Sequence, residues 1–388
     1  MRPTIYSKKA SNQNENRYSP LNGENMRFYR HLVLQSLLCI LPVMTRPVFG
    51  SGVDLNLTDA ASPITAIQPN SVAPSDNDAP VASDLLRNPI VWQDPGNIAE
   101  KDLYYGHGGR KSAPAEPFIF ESEDRTGTNP KFDVRDSNGK RWRVKLGTEA
   151  RPEVVASRLL WAIGYFVNDD YVLPSADIQG LSLKRGAGMS KGGHVVDARF
   201  AVKPEGQKKI GYWKWADNPL QNTKEFNGLR VMMAVLNNWD LKDVNNAVYE
   251  DKENNCQIFL ASDIGATFGT NSLSWTVSRS KGNVDSYEGS GFIQRVHAND
   301  VDFATPKRPN TLLAETPGVG AKQYAMRSGM DWIGNNIPRT DAHWVGVLLG
   351  QLSHQQLLDA FRAGNFPPSE IEIYVKVVER RILDLKGL

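Results

Sequence analysis

Two aspartates and one asparagine carry the clearest chemistry in this 388-residue chain. Asp240, Asn245 and Asp263 fall within residues 235–265, VLNNWDLKDVNNAVYEDKENNCQIFLASDIG. Asp240 precedes Asn245 with D-x-x-x-x-N spacing, and Asp263 opens the D-x-G Asp263-Ile264-Gly265. A carboxylate at Asp240 can accept a hydroxyl proton, and the Asn245 carbonyl one short turn later can hold a metal ion on phosphates. The Asp263 carboxylate adds a second metal-binding oxygen. Each fragment is also ordinary turn chemistry, since Asn and Asp hydrogen-bond their own backbone in loops. It is the pair of fragments, set apart by a hairpin, that has the layout of a phosphoryl-transfer site.

The elements that must position these groups are legible on either side. Leu229, Met232, Met233 and Leu236 have helical spacing, and the pattern stops at Asn237 and Asn238, so a loop follows a buried helix. Residues 247–249 and 257–261 read as strands joined by a polar turn, with the D-x-G at their exit. With these motifs the chain resembles the protein-kinase-like superfamily, and within it the distant branches of the phosphatidylinositol 3- and 4-kinases and the HipA-like bacterial kinases. The resemblance implies an α+β, two-lobed fold, with a small antiparallel β lobe over residues 96–203 and a mainly helical lobe over 204–388. It also implies ATP and Mg2+ or Mn2+ as cofactors, with Asp240 as base and Asn245 and Asp263 as metal ligands.

Upstream, residues 117–121 (PFIFE), 131–136 (KFDVRD) and 141–146 (RWRVKL) read as three antiparallel strands. They are joined by a glycine-containing loop at 123–130 and a hairpin turn at 137–140. The resemblance assigns Gly127, Thr128 and Asn129 to the loop over the phosphates, and Lys145 to the alpha and beta phosphates. Where the superfamily usually has two or three glycines, this loop has Gly127 alone. A helix follows, with Pro152 in its first turn, Val154, Val155, Leu159, Leu160 and Ile163 as apolar positions, and Gly164 as its stop. The resemblance asks this helix for a glutamate that holds Lys145: Glu153 is the first choice and Glu149 the second. Glu153 in a first turn equally suits the helix dipole.

Composition bounds the remainder. Forty-five Lys and Arg against 43 Asp and Glu give a net charge of +2, which supplies no bulk attraction to nucleic acid or membrane. Of two cysteines, Cys39 falls in the apolar run of residues 32–43, which follows Arg27 and Arg30 and reads as a secretory signal peptide, with Met26 as an internal start. That run is too short for a stable transmembrane span. The expectation is an exported protein, periplasmic or secreted, with a leader over residues 1–50 and a disordered linker over 51–95 rich in Ser, Pro, Asn and Asp. Gly106-His107-Gly108-Gly109 lacks the flanking strand and helix of a phosphate fingerprint and reads as a connector. None of the six histidines has a metal partner at ligand spacing.

Residues 206–219, with Trp213 and Trp215, read as a polar, aromatic connection, and residues 266–309 as a long substrate-side loop. Arg279, Lys281 and Arg295 in that loop could hold a phosphorylated or acidic substrate. Ser353 with Gln356 and Ser369 with Glu372 form capping boxes ahead of two amphipathic helices that close the chain. The expected partners are a nucleotide and an acceptor, whether protein, lipid or small molecule. Two rival readings stand beside the phosphotransferase: a pseudokinase that serves as a secreted binding module, and a secreted hydrolase with Asp240 and Asp263 as paired carboxylates.

Overall fold

The structure, a computed structural model, describes residues 79–126, 129–202, 208–270, 280–305 and 329–388. Gly127, Thr128, the leader and most of the linker lie outside the described residues. The fold is α+β. A two-residue strand β1 (Pro89–Ile90) comes first, followed by β2 (Phe118–Asp124), β3 (Lys131–Arg135), β4 (Arg141–Lys145) and helix α1 (Ala150–Ala162). Next come β5 (Asp170–Gln179), β6 (His194–Val202) and β7 (Lys208–Gly211), then α2 (Lys224–Leu236), β8 (Asn246–Asp251) and β9 (Cys256–Ala261). The chain ends with α3 (Val284–Glu288), β10 (Ile293–Val296), β11 (Asp300–Phe303), β12 (Ile337–Pro338), α4 (Arg339–Leu349), α5 (His354–Ala363) and α6 (Pro368–Lys386).

Strands β2, β3, β4, β6 and β5 close, in that order, into a barrel. Its interior is filled by Phe118, Phe132, Val134, Trp142, Val144, Tyr171 and Phe200. Side chains alternate along a strand, so burying Val144 in the barrel turns Lys145 to the outer face. The same parity acts on β6, where Ala198 and Phe200 point inward and Arg199 outward. Lys145 and Arg199 are register partners across β4 and β6, so two cations stand side by side on one outer face. Helix α1 covers that face. Glu149 and Glu153 lie one helical turn apart and face the same way, which is how both reach Lys145.

The second core gathers α2, α4, α5 and α6 around Leu229, Met232, Met233, Leu236, Phe361 and Tyr374. Thr223 caps the start of α2 by accepting from the Phe226 N–H, and Asn237 ends the helix with φ 56°. The last carbonyls of any helix lack intrahelical partners. Here Arg381 from α6 donates to the Ala234 and Val235 carbonyls at 2.9 and 3.0 Å. The Tyr287 hydroxyl donates to Val235 at 2.6 Å, and the Phe268 N–H donates to Leu236 at 2.8 Å. Four hydrogen bonds from three distant residues thus fix the point where the Asp240 loop begins.

Four sequence expectations change. The disordered linker predicted to residue 95 carries structure from residue 79: the Val81 N–H donates to the Tyr212 carbonyl, and β1 pairs in parallel with β9. The Gly106–Gly109 connector is packed down, because an added Cβ at Gly108 would sit 2.3 Å from the Tyr171 hydroxyl, which itself donates to the Gly109 carbonyl. The connection at 206–219 contributes β7, which pairs with β8, and buries Trp213 and Trp215 beside Phe226. Within the loop at 266–309, the described residues form α3 and the β10–β11 hairpin, held by buried Tyr287, Val301 and Phe303. Val301 and Phe303 have the period-two spacing of a strand, over a run too short to stand out.

Among the described residues, no helix is long and apolar enough to cross a membrane.

Candidate active site

The loop after α2 is built by its own side chains. The Asn238 carboxamide oxygen accepts from the Asp240 N–H at 3.1 Å, and the Asn245 carboxamide donates to the Asp240 carbonyl at 2.7 Å. The Asn245 carbonyl accepts from the N–H groups of Ser262 and Asp263 at 2.9 and 3.1 Å, and from the Ser262 hydroxyl at 2.9 Å. Asp240, Asn245 and Asp263 are therefore brought together by the backbone, with the β8–β9 hairpin returning the chain from one motif to the other. Its register, Asn246 opposite Ala261, sets Asp263 just beyond the strand end.

Lys145 closes the cluster from the barrel side. Its Nζ lies 2.8 Å from Asp263 Oδ1, 2.9 Å from Glu153 Oε2 and 2.7 Å from Glu149 Oε2. Burial works against the lysine charge, but Glu153, Asp263 and Glu149 prevail and hold its pKa above the ordinary range. For Asp263 burial is the largest pull, upward, but the charge and hydrogen bond of Lys145 together with Arg199 and Lys131 outweigh it, leaving it at about 2. Both are charged near neutral pH. The Asp263 side chain remains 44% exposed, whereas Lys145 and Glu153 are 4% and 2% exposed.

A chain of buried charges stands behind Lys145. Glu153 is also ion-paired with Arg199, Arg199 lies 3.8 Å from Asp170, and Arg158 donates to the Asp170 carbonyl at 2.6 Å. Burial pushes Asp170 up to about 7, against the pull of Arg199 and Arg158. A carboxyl whose folded pKa exceeds its unfolded value of about 3.9 stabilises the fold below that value and loses the contribution as pH rises through the folded pKa. The melting temperature of the wild type relative to Asp170→Asn is accordingly expected to fall between about pH 4 and about pH 7. A difference constant across that window would contradict it.

The D-x-G glycine is explained by packing. A Cβ on Gly265 would lie 2.6 Å from Glu149 Cβ and 3.0 Å from its carbonyl oxygen, so the chain after Asp263 runs against the start of α1. Gly265→Ala is expected to cost about 1–3 kcal/mol through overpacking. Urea unfolding measures this, and an unchanged midpoint would contradict the close approach.

The structure brings together Asp240, Asn245, Asp263, Lys145, Glu153 and Asn129, the last through a hydrogen bond to Glu149. Gly127 and Thr128 lie outside the described residues. Sequence reasoning assigned no role to Lys242, whose Nζ pairs with Asp240 at 2.9 Å, or to Arg199. The signal for Lys242 was its place two residues after Asp240; that for Arg199 was the strand parity shared with Lys145. The spacing rule also passed over His297, Asp300 and Asp302 on the β10–β11 hairpin, whose ligand atoms lie within 4.8 Å of one another.

Two oxygens suit a hard cation. Asn245 Oδ1 and Asp263 Oδ2 accept no hydrogen bond among the described residues, and carbonyl and carboxylate oxygens are the ligands that Mg2+ and Mn2+ prefer.

No protein-family model matches the chain, and no curated protein sequence matches it. Among solved structures it is similar to the Helicobacter pylori proinflammatory kinase CtkA, at 11% identity over 68% of this chain and 96% of that one, with a TM-score of 0.31.

Proposed function

We propose that the chain is an exported, two-lobed, kinase-like phosphotransferase that moves the gamma-phosphate of ATP to an acceptor hydroxyl. The supporting observation is the meeting of Lys145, backed by Glu153, with Asp263, Asn245 and Asp240, from elements far apart in sequence. Lys145 would contact the alpha and beta phosphates, and Asn129 would border them. Asn245 and Asp263 would hold Mg2+ or Mn2+, which when bound neutralises charge on the phosphates. Asp240 accepts the proton of the acceptor hydroxyl as that oxygen bonds to the gamma phosphorus and the bond to the leaving oxygen breaks. Lys242 beside it offers a positive charge near the transferred group. Catalysis of this kind is mostly positioning and charge neutralisation.

Paired-carboxylate hydrolysis gives Lys145 no task, although Lys145 is ion-paired with three carboxylates of the cluster. A thermal-shift titration of the purified chain with ATP and Mg2+ or Mn2+ tests the reading. Ligand a hundredfold above its dissociation constant adds about 2.7 kcal/mol to native stability. The expected result is a metal-dependent rise that Lys145→Ala loses. No rise with any nucleotide and metal would contradict it, and a rise without phosphate transfer would favour the binding-module reading.

A further inference from the structure

Glu149 has no task in the mechanism above, yet three polar side chains gather on its carboxylate. Its Oε2 lies 2.7 Å from Lys145 Nζ as an ion pair and accepts from the Asn129 carboxamide, and its Oε1 accepts from Lys281 Nζ. The three charged side chains are only 8%, 4% and 13% exposed for Glu149, Lys145 and Lys281. An ammonium has three protons. Lys145 donates to Glu153 and Asp263 at 2.9 and 2.8 Å, and Glu149 stands 2.7 Å away on the remaining side, so a phosphate reaches Lys145 by taking the place of one carboxylate.

The three carboxylates are not equally free to leave. Glu153 is held from behind by Arg199, and the Asp263 carboxylate is committed to the metal in the phosphotransferase reading, with its backbone N–H tied to the Asn245 carbonyl. Glu149 sits at the N-cap of α1 but makes no side-chain cap bond, so its departure undoes no cap. Its other partners, Asn129 and Lys281, come from the chain just before β3 and just before α3.

We propose that the Glu149 carboxylate holds the place of a phosphate group, and that Lys281, Asn129 and Lys145 together form a polyphosphate subsite from which the incoming nucleotide displaces it. Carboxylate and phosphate oxygens take the same charge-assisted bonds from ammonium and amide donors. Lys281 thereby becomes a second phosphate-binding cation, supplied by the segment after the D-x-G. The empty site is closed by its own glutamate. This inference rests on the phosphotransferase reading.

Calorimetric titration of the full chain with Mg-ATP and with tripolyphosphate tests it, using Glu149→Gln, Glu149→Asp and Lys281→Ala, each checked for folding by circular dichroism. Hydrogen bonds to charged groups correspond to roughly a tenfold change in affinity or more. Glu149→Gln is expected to tighten both ligands by about tenfold. Glu149→Asp keeps the charge but withdraws it by one methylene, and is expected to tighten them too. Lys281→Ala is expected to weaken both. If the wild type binds Mg-ATP and neither Glu149 variant binds it more tightly, displacement is overturned while the phosphotransferase reading stands. If neither ligand binds to the wild type or to any variant, both fail.

Discussion

Asp263→Ala is expected to remove phosphate transfer while leaving the protein folded. The Asp263 side chain is 44% exposed, and Lys145 keeps Glu149 at 2.7 Å and Glu153 at 2.9 Å when it is gone. No buried charge is left without a partner, so the stability cost should stay within about 1 kcal/mol, as for partly exposed ion pairs. The activity cost is of another order. In the phosphotransferase reading Asp263 holds the metal on the phosphates, and loss of one group that neutralises transition-state charge costs about a thousandfold in rate. A transfer assay beside a melting curve measures both. Full activity in Asp263→Ala would remove it from the site, and a collapsed melting curve would make it structural.

Glu153→Ala is expected to do the reverse in the first instance, acting on the fold. Glu153 is 2% exposed and pairs with both Lys145 and Arg199, themselves 4% and 8% exposed. Among the described residues, truncating it leaves Arg199 with Asp170 alone as an ion-pair partner, at 3.8 Å. Removing one partner of a buried pair costs about 3–5 kcal/mol, because the remaining charge stays desolvated. Guanidinium unfolding should show a large drop in midpoint, and transfer should fall as well, since Lys145 loses its backing. A loss below about 1 kcal/mol would mean that water or another side chain replaces Glu153 and that the charge chain is not structural.

These two expectations mark what the sequence could convey. The Asp240 and Asp263 motifs were legible because each adjoins an element with clear periodicity, the apolar stripe of α2 and the β8–β9 hairpin. Lys145 and Glu153 were assigned through the resemblance, on a strand and a helix whose apolar spacing marked the elements that carry them. The grip of Lys281 on Glu149 was not, since the two lie 132 positions apart and no local pattern pairs them. The same holds for the run of Glu153, Arg199, Asp170 and Arg158, which exists only once β4, β5, β6 and α1 are packed. Gly265 read as a motif letter, and only the closeness of Glu149 gives it a steric reason. The short strands β7, β10, β11 and β12 escaped because so few residues carry too little periodicity to separate from loop, and helix α4 because two of its four buried positions, Ala342 and Gly346, are too small to mark an apolar stripe.

The most direct measurement is a crystal structure of the chain with Mn2+ and a non-hydrolysable ATP analogue, with the metal located by its anomalous signal. The expected result is a metal peak bridging Asn245 Oδ1 and Asp263 Oδ2, at distances near the roughly 2.1 Å of magnesium sites, with a phosphate oxygen on Lys145 Nζ. Nucleotide bound elsewhere, or metal bound without contact to either residue, would contradict the assignment of this cluster as a phosphoryl-transfer site.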